Sequence, residues 1–175
     1  MKKSLFLILF LGINLSFLYP QGTYFTRKPL TVAELRKTLV GKPVADFNFE
    51  DVLGNKLQKK NLTGKVIVIN LWFTTCGPCI REMPLLNKLV DAYKDTNVVF
   101  IAPALDSREE VERFLKKRTF NYQAVPDQQA YSVQLRVQSF PTHIIADKNG
   151  IIRQIEVGYN SSIKEILGQR IDALK

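Results

Sequence analysis

An apolar run, Val66-Ile67-Val68-Ile69-Asn70-Leu71-Trp72, is followed three residues later by Cys76-Gly77-Pro78-Cys79. The run reads as a buried strand, and Gly-Pro after a cysteine suits the opening of a helix, where the missing proline N–H has no partner to lose. These are the only two cysteines in the chain. Two thiols at this spacing can close and reopen a small disulfide ring while the surrounding fold hardly moves. A structural staple is the alternative, but a cross-link that closes so short a loop constrains the unfolded chain very little. The pattern points to a redox couple.

With 175 residues, 46% of them hydrophobic, the chain is sized for one domain with a substantial core plus a short extension. The extension is residues 1–22: Lys2 and Lys3, then Leu5 to Leu11, a polar break at Asn14 and Ser16, and an aromatic finish at Phe17 to Tyr19. It reads as an export signal, either cleaved or kept as a short anchor, and the apolar stretch is brief for a membrane span. The formal charge is +9, or +7 without Lys2 and Lys3. Basic residues fall in short clusters such as Lys116-Lys117-Arg118 with no aromatic interleaving, so solvated faces are expected and no nucleic-acid partner.

Residues 23–40 form a lead-in with a short helix, Val32 to Leu39, capped by Thr31. The domain proper then occupies 41–175. Val44, Phe47 and Phe49 beside Leu53-Gly54-Asn55-Lys56 suggest an N-terminal hairpin at the sheet edge. The central strand follows, then a helix over 77–95 that contains Pro84. Strands are expected at Val98 to Ala102 and Tyr122 to Val125. Helices are expected from the Ser107 capping box to Lys117 and from Asp127 to Leu135. A hairpin of Thr142 to Ala146 with Ile151 to Val157, and a helix from Ser161 to Leu174, close the chain. Strands alternating with helices give an α/β fold: a central mixed sheet flanked by helices.

Gly41-Lys42-Pro43-Val44-Ala45-Asp46-Phe47, Gly64-Lys65-Val66, Asn70-Leu71-Trp72, the Cys-Gly-Pro-Cys, Glu82-Met83-Pro84 and Phe140-Pro141-Thr142 together resemble the TlpA/ResA-like exported thioredoxins. The resemblance spans about 41–174 and implies a thioredoxin fold, with an inserted helix and strand at about 107–125, and thiol-disulfide exchange. It also implies a cis bond before Pro141, which leaves the backbone of Phe140 to pair with a substrate strand beside Gly77, Pro78 and Trp72. Thr75 stands where relatives commonly carry a second tryptophan, so the apolar rim is reduced.

Cys76, just ahead of the helix, is expected to be the nucleophile, its thiolate favoured by the helix N-terminus. Cys79 in the first turn resolves the mixed disulfide and needs a proton acceptor. Ordinary thioredoxins place an Asp six residues before the first cysteine. Here that residue is Asn70, which cannot titrate, so Glu82, three residues beyond Cys79, is the candidate base, as the resemblance also implies. The alternative is a solvated first-turn carboxylate. The expected partners are protein thiols or disulfides, including apocytochrome as in cytochrome c maturation, with a membrane electron donor, in the periplasm or another exported location. No bound cofactor is expected beyond the redox-active Cys76–Cys79 disulfide. A second function class is a copper-binding metallochaperone using Cys76, Cys79 and His143. A structural zinc site lacks four soft ligands, and the Pro-x-x-x-Thr-x-x-Cys pattern of peroxidatic cysteines is met by neither cysteine.

Overall fold

Strand β3 (Val66–Leu71) is buried along its whole length, and it lies at the centre of the structure. In the computed structural model, which describes residues 29–175, β3 pairs in parallel with β4 (Val98–Pro103) and antiparallel with β6 (Thr142–Ala146). Beyond them, β5 (Gln123–Val125) runs parallel to β4, and β7 (Ile152–Val157) runs antiparallel to β6. The order is therefore β5-β4-β3-β6-β7, a mixed five-stranded sheet. A strand covered on both faces needs apolar residues at every position, which is why β3 reads as an uninterrupted run with one polar exception, Asn70.

Helix α2 (Gly77–Tyr93) connects β3 to β4, and α5 (Ile163–Asp172) packs beside it on the same face. Their core residues, among them Met83, Leu86, Leu89 and Leu167, meet Val66, Val68, Trp72 and Ile145, and α3 (Arg108–Leu115) adds Val111. The opposite face is covered by α1 (Val32–Leu39) and α4 (Gln129–Gln134). Leu35 and Tyr131 pack there on Ile67, Ile69, Leu71 and Ile144. The α3–β5 insertion falls where the sequence places it. Both capping boxes, Thr31 with Glu34 and Ser107 with Glu110, are formed.

Two expectations are corrected. The hairpin of β1 (Asn48–Glu50) and β2 (Lys56–Gln58) is a separate two-stranded sheet that does not extend the main one. Phe49 and Leu57, on its buried side, join the α1–α4 core, with Phe47 stacked on Phe49 at 4.6 Å and Tyr131 edge-on to both. Its side-chain pattern offers one apolar face, and covering a sheet satisfies that face as well as joining an edge would. The lead-in packs on the domain: Leu35 is buried, and Arg36 donates to the Ile155 carbonyl and to Glu156 on β7. Asp127 does not cap α4; it takes a left-handed φ of 61°, its N–H donates to the Asp106 carbonyl, and the helix begins at Gln129. The export-signal reading concerns residues 1–22, which lie outside the described residues.

Candidate active site

The site is assembled where β3 gives way to α2. After Leu71 the chain stays against β4 through a bridge of Trp72 with Ala104, and the indole N–H donates to the Ala102 carbonyl at 3.2 Å. The next residues are fixed by Asp106, whose carboxylate accepts from the Thr74 backbone N–H at 2.7 Å and from its hydroxyl at 2.9 Å. This clamp, invisible to local sequence patterns, sets the approach to Cys76. Cys76 is the N-cap of α2, with its Sγ accepting from the Cys79 N–H at 3.2 Å. That position brings its sulfur to the end of the helix where unpaired N–H groups and the dipole favour negative charge.

Cys76 and Cys79 are joined in a disulfide, with Cα atoms 5.3 Å apart. Both are nearly covered, at 4% and 2% exposure, while Thr75, Gly77 and Pro78 are open to solvent. The open surface beside the two cysteines is therefore Thr75 and the Gly77-Pro78 edge. Phe73 and Phe140, both half-buried, meet edge to face at 5.5 Å and pack against the cluster that contains the cysteines. The Phe140–Pro141 bond is cis, and the Pro141 carbonyl accepts from the Gly158 N–H at 2.8 Å. Trp72, expected among the residues that touch substrate, has no exposed surface. Its ring is enclosed by Phe114 and Phe120, so it supports the site from below.

Glu82 is wholly buried, which removes the reading of a solvated helix carboxylate. Its Oε1 accepts from Asn70 Nδ2 at 3.1 Å and lies 3.0 Å from His143 Nε2, without the alignment of a hydrogen bond. Its Oε2 has no hydrogen-bond partner among the described residues. Tyr122 completes the cluster. Its phenol is held protonated well above the usual value, first by burial and then by the charge of Glu82. The one sequence signal for this arrangement is polarity in the wrong place: Asn70 interrupts an otherwise apolar β3, His143 stands within the buried β6, and buried polar groups need partners. His143 turns both ring nitrogens toward Asn70 and Glu82. The metallochaperone alternative needs that ring beside the two sulfurs. Among the described residues, no three His, Cys, Asp or Glu side chains converge as a metal site.

This geometry accords with the relatives of the chain. The redoxin family matches residues 39–169. The chain belongs to the redoxin family. It is 29% identical to the thiol-disulfide oxidoreductase ResA of Geobacillus kaustophilus, covering 100% of this chain and 95% of that protein. It is 32% identical to ResA of Bacillus cereus over 72% of this chain and 74% of that protein. The solved structure of a DsbE-type thiol:disulfide interchange protein from Chlorobium tepidum superposes with a TM-score of 0.71 at 26% identity. That match covers 77% of this chain and 96% of that one. As a TlpA/ResA-like redoxin of thioredoxin fold, the protein is a thiol-disulfide oxidoreductase, and its substrates are protein thiols or disulfides.

Proposed function

We propose that this redoxin is an exported protein-disulfide reductase, with Cys76 as nucleophile, Cys79 as resolving thiol and Glu82 as proton acceptor. The observation that carries the reading is the burial of Glu82 one helical turn beyond Cys79, with one carboxylate oxygen unpartnered. An acceptor in an apolar enclosure is what a covered thiol requires in order to become a nucleophile.

In the reduced enzyme the Cys76 thiolate attacks one sulfur of a partner disulfide. A mixed disulfide forms and the other partner sulfur leaves as thiolate. Cys79 then gives its proton to Glu82 and attacks Cys76 Sγ. The bond between Cys76 and the partner breaks, the Cys76–Cys79 bond forms, and the second partner sulfur departs reduced. Two electrons have passed to the partner, and the enzyme stands in the disulfide form seen here. The chemistry is complete with these side chains, so no bound cofactor is invoked.

Gly77, Pro78, Phe140 and Pro141 form the proposed substrate edge, supported by the exposure of the first two and the packing of Phe140. Export is supported by the Lys2-Lys3 and Leu5 to Leu11 pattern. Outside the cytoplasm the pair must be re-reduced by a membrane-held dithiol donor, and the disulfide of an oxidised apocytochrome is the proposed substrate class. The test is the reduction potential of the Cys76–Cys79 pair, by equilibration in defined thiol buffers and trapping of free thiols. A value near about −270 mV, as in thioredoxin, is expected; one near about −120 mV, as in DsbA, would reverse the direction of electron flow.

A further inference from the structure

The ring of His143 has no part in the steps above, yet it is fully buried and is the chain's only histidine. Its place follows from strand register. Asn70 on β3 and His143 on β6 are directly paired, so both side chains leave the sheet on the face covered by α2, where Glu82 meets them. Asn70 Nδ2 stands 3.1 Å from Glu82 Oε1 and 3.1 Å from His143 Nδ1. An amide nitrogen brings two hydrogens and no accepting lone pair, so both neighbours accept from it. In the neutral ring Nδ1 is thus the acceptor and the hydrogen resides on Nε2, the atom 3.0 Å from Glu82 Oε1.

We propose that His143 is a positioning residue for proton transfer: in the tautomer that Asn70 imposes, it keeps a protonated Nε2 3.0 Å from Glu82 Oε1, ready to donate there as the carboxylate charge develops, and leaves Oε2 as the atom that takes the Cys79 proton. The inference rests on the reading of Glu82 as proton acceptor. A carboxylate buried without donors is costly; Asn70 donates to Oε1, and His143 Nε2 stands 3.0 Å from the same oxygen, close enough to become a second donor with a small turn of the ring. When Cys79 attacks Cys76 Sγ, its proton passes to Oε2 and Glu82 becomes neutral. When a donor thiolate later attacks Cys76 and expels Cys79, the same proton returns to the departing sulfur. Few other charges bear on the ring. From α2 it faces Glu82, and from β3 the neutral Asn70. Tyr122, at the entry to β5, stays protonated. On β7 its register partner is Glu156, whose carboxylate is engaged by Arg36 and Gln154. Helix α5 offers this core the apolar Ile163 and Leu167.

The test uses the reduced full chain mixed rapidly with excess of an aromatic disulfide whose released thiol is coloured. The first phase reports attack by Cys76 and the second reports resolution by Cys79. His143→Thr should leave the first phase unchanged, slow the second about tenfold at neutral pH, and move the midpoint of its pH dependence upward. His143→Gln, which restores an N–H, should move it less. Glu82→Gln is run alongside. If Glu82→Gln slows the second phase while His143→Thr keeps the wild-type rate and pH profile, the role of His143 is overturned and that of Glu82 stands. If Glu82→Gln is also without effect, both are overturned. Should His143→Thr not fold, His143→Leu, which also lacks the N–H but keeps more of the ring's volume, decides: a profile displaced to higher pH supports the proposal, and one superimposed on the wild type overturns it.

Discussion

Strands β3 and β6 turn one face toward α1 and α4, where Ile67, Ile69, Leu71, Ile144 and Ala146 make an apolar layer with one buried hydroxyl, Thr142, at its end. Their other face, toward α2, sets Asn70 and His143 among Val66, Val68, Trp72 and Ile145, and brings Glu82 and Tyr122 against them. The same two strands thus build a cohesive surface and a reactive one, separated by the period-2 alternation of side chains. The difference teaches where stability and chemistry reside. Apolar burial on the first face contributes stability in proportion to area, whereas the buried polar cluster on the second contributes little net stability and is the proposed source of proton chemistry for Cys79.

Truncation on the cohesive face gives the largest expected loss. Ile69→Ala, at a residue with no exposed surface, should cost about 2–5 kcal/mol in denaturant unfolding while leaving exchange kinetics intact. A slowed resolution phase in that variant would break the separation of the two faces. Asp106→Ala, which removes the clamp on Thr74, should cost about 1.5–3 kcal/mol and slow attack by Cys76 as well, because the segment entering the N-cap loses its anchor. An unchanged attack rate at reduced stability would limit the clamp to a structural role.

Much of the reactive face was legible because its signals are local. The Cys76–Cys79 spacing, the polar-free run of β3 apart from Asn70, and the Ser107 capping box of α3 lie within a few residues of the structure they specify. The contact of Glu82 with His143 was not legible in the same way. It depends on Asn70 pairing with His143 across 73 residues of sequence, a register that no short window contains. The hairpin was misplaced for the same reason. Alternation in Asn48–Glu50 and Lys56–Gln58 shows that one side is buried, not which element buries it. Asp127 was misread because a residue type that favours caps also tolerates the left-handed conformation it adopts here.

Smaller effects sharpen the comparison at the margins of the sheet. Asp147 lies in the β6–β7 turn. Its burial pushes the carboxyl up, but hydrogen bonds from the Ile151 N–H, the Arg153 side chain and the Asn149 N–H outweigh this and hold it below the usual carboxylate value. A lowered folded-state value stabilises above the unfolded value and is lost as pH falls through the folded one. Asp147→Asn should therefore remove part of the acid-induced loss of stability below about pH 4, read from thermal melts across pH. Smallest of all, Arg36→Ala breaks an exposed pair with Glu156 together with one backbone contact. It should cost about 1 kcal/mol, a loss independent of the redox state of the cysteines.

The central claim is that electrons enter and leave through Cys76 while Cys79 works from the buried cluster. Exposure alone hardly distinguishes the two sulfurs, at 4% and 2%, so the assignment rests on the N-cap position of Cys76 and the placement of Glu82 beyond Cys79. Trapping tests it directly: each single cysteine-to-serine variant is incubated with a disulfide-bonded protein and analysed by intact mass. Cys79→Ser is expected to accumulate a mixed disulfide on Cys76, and Cys76→Ser to accumulate none. A stable adduct on Cys79 in the Cys76→Ser variant, with none in Cys79→Ser, would contradict the account.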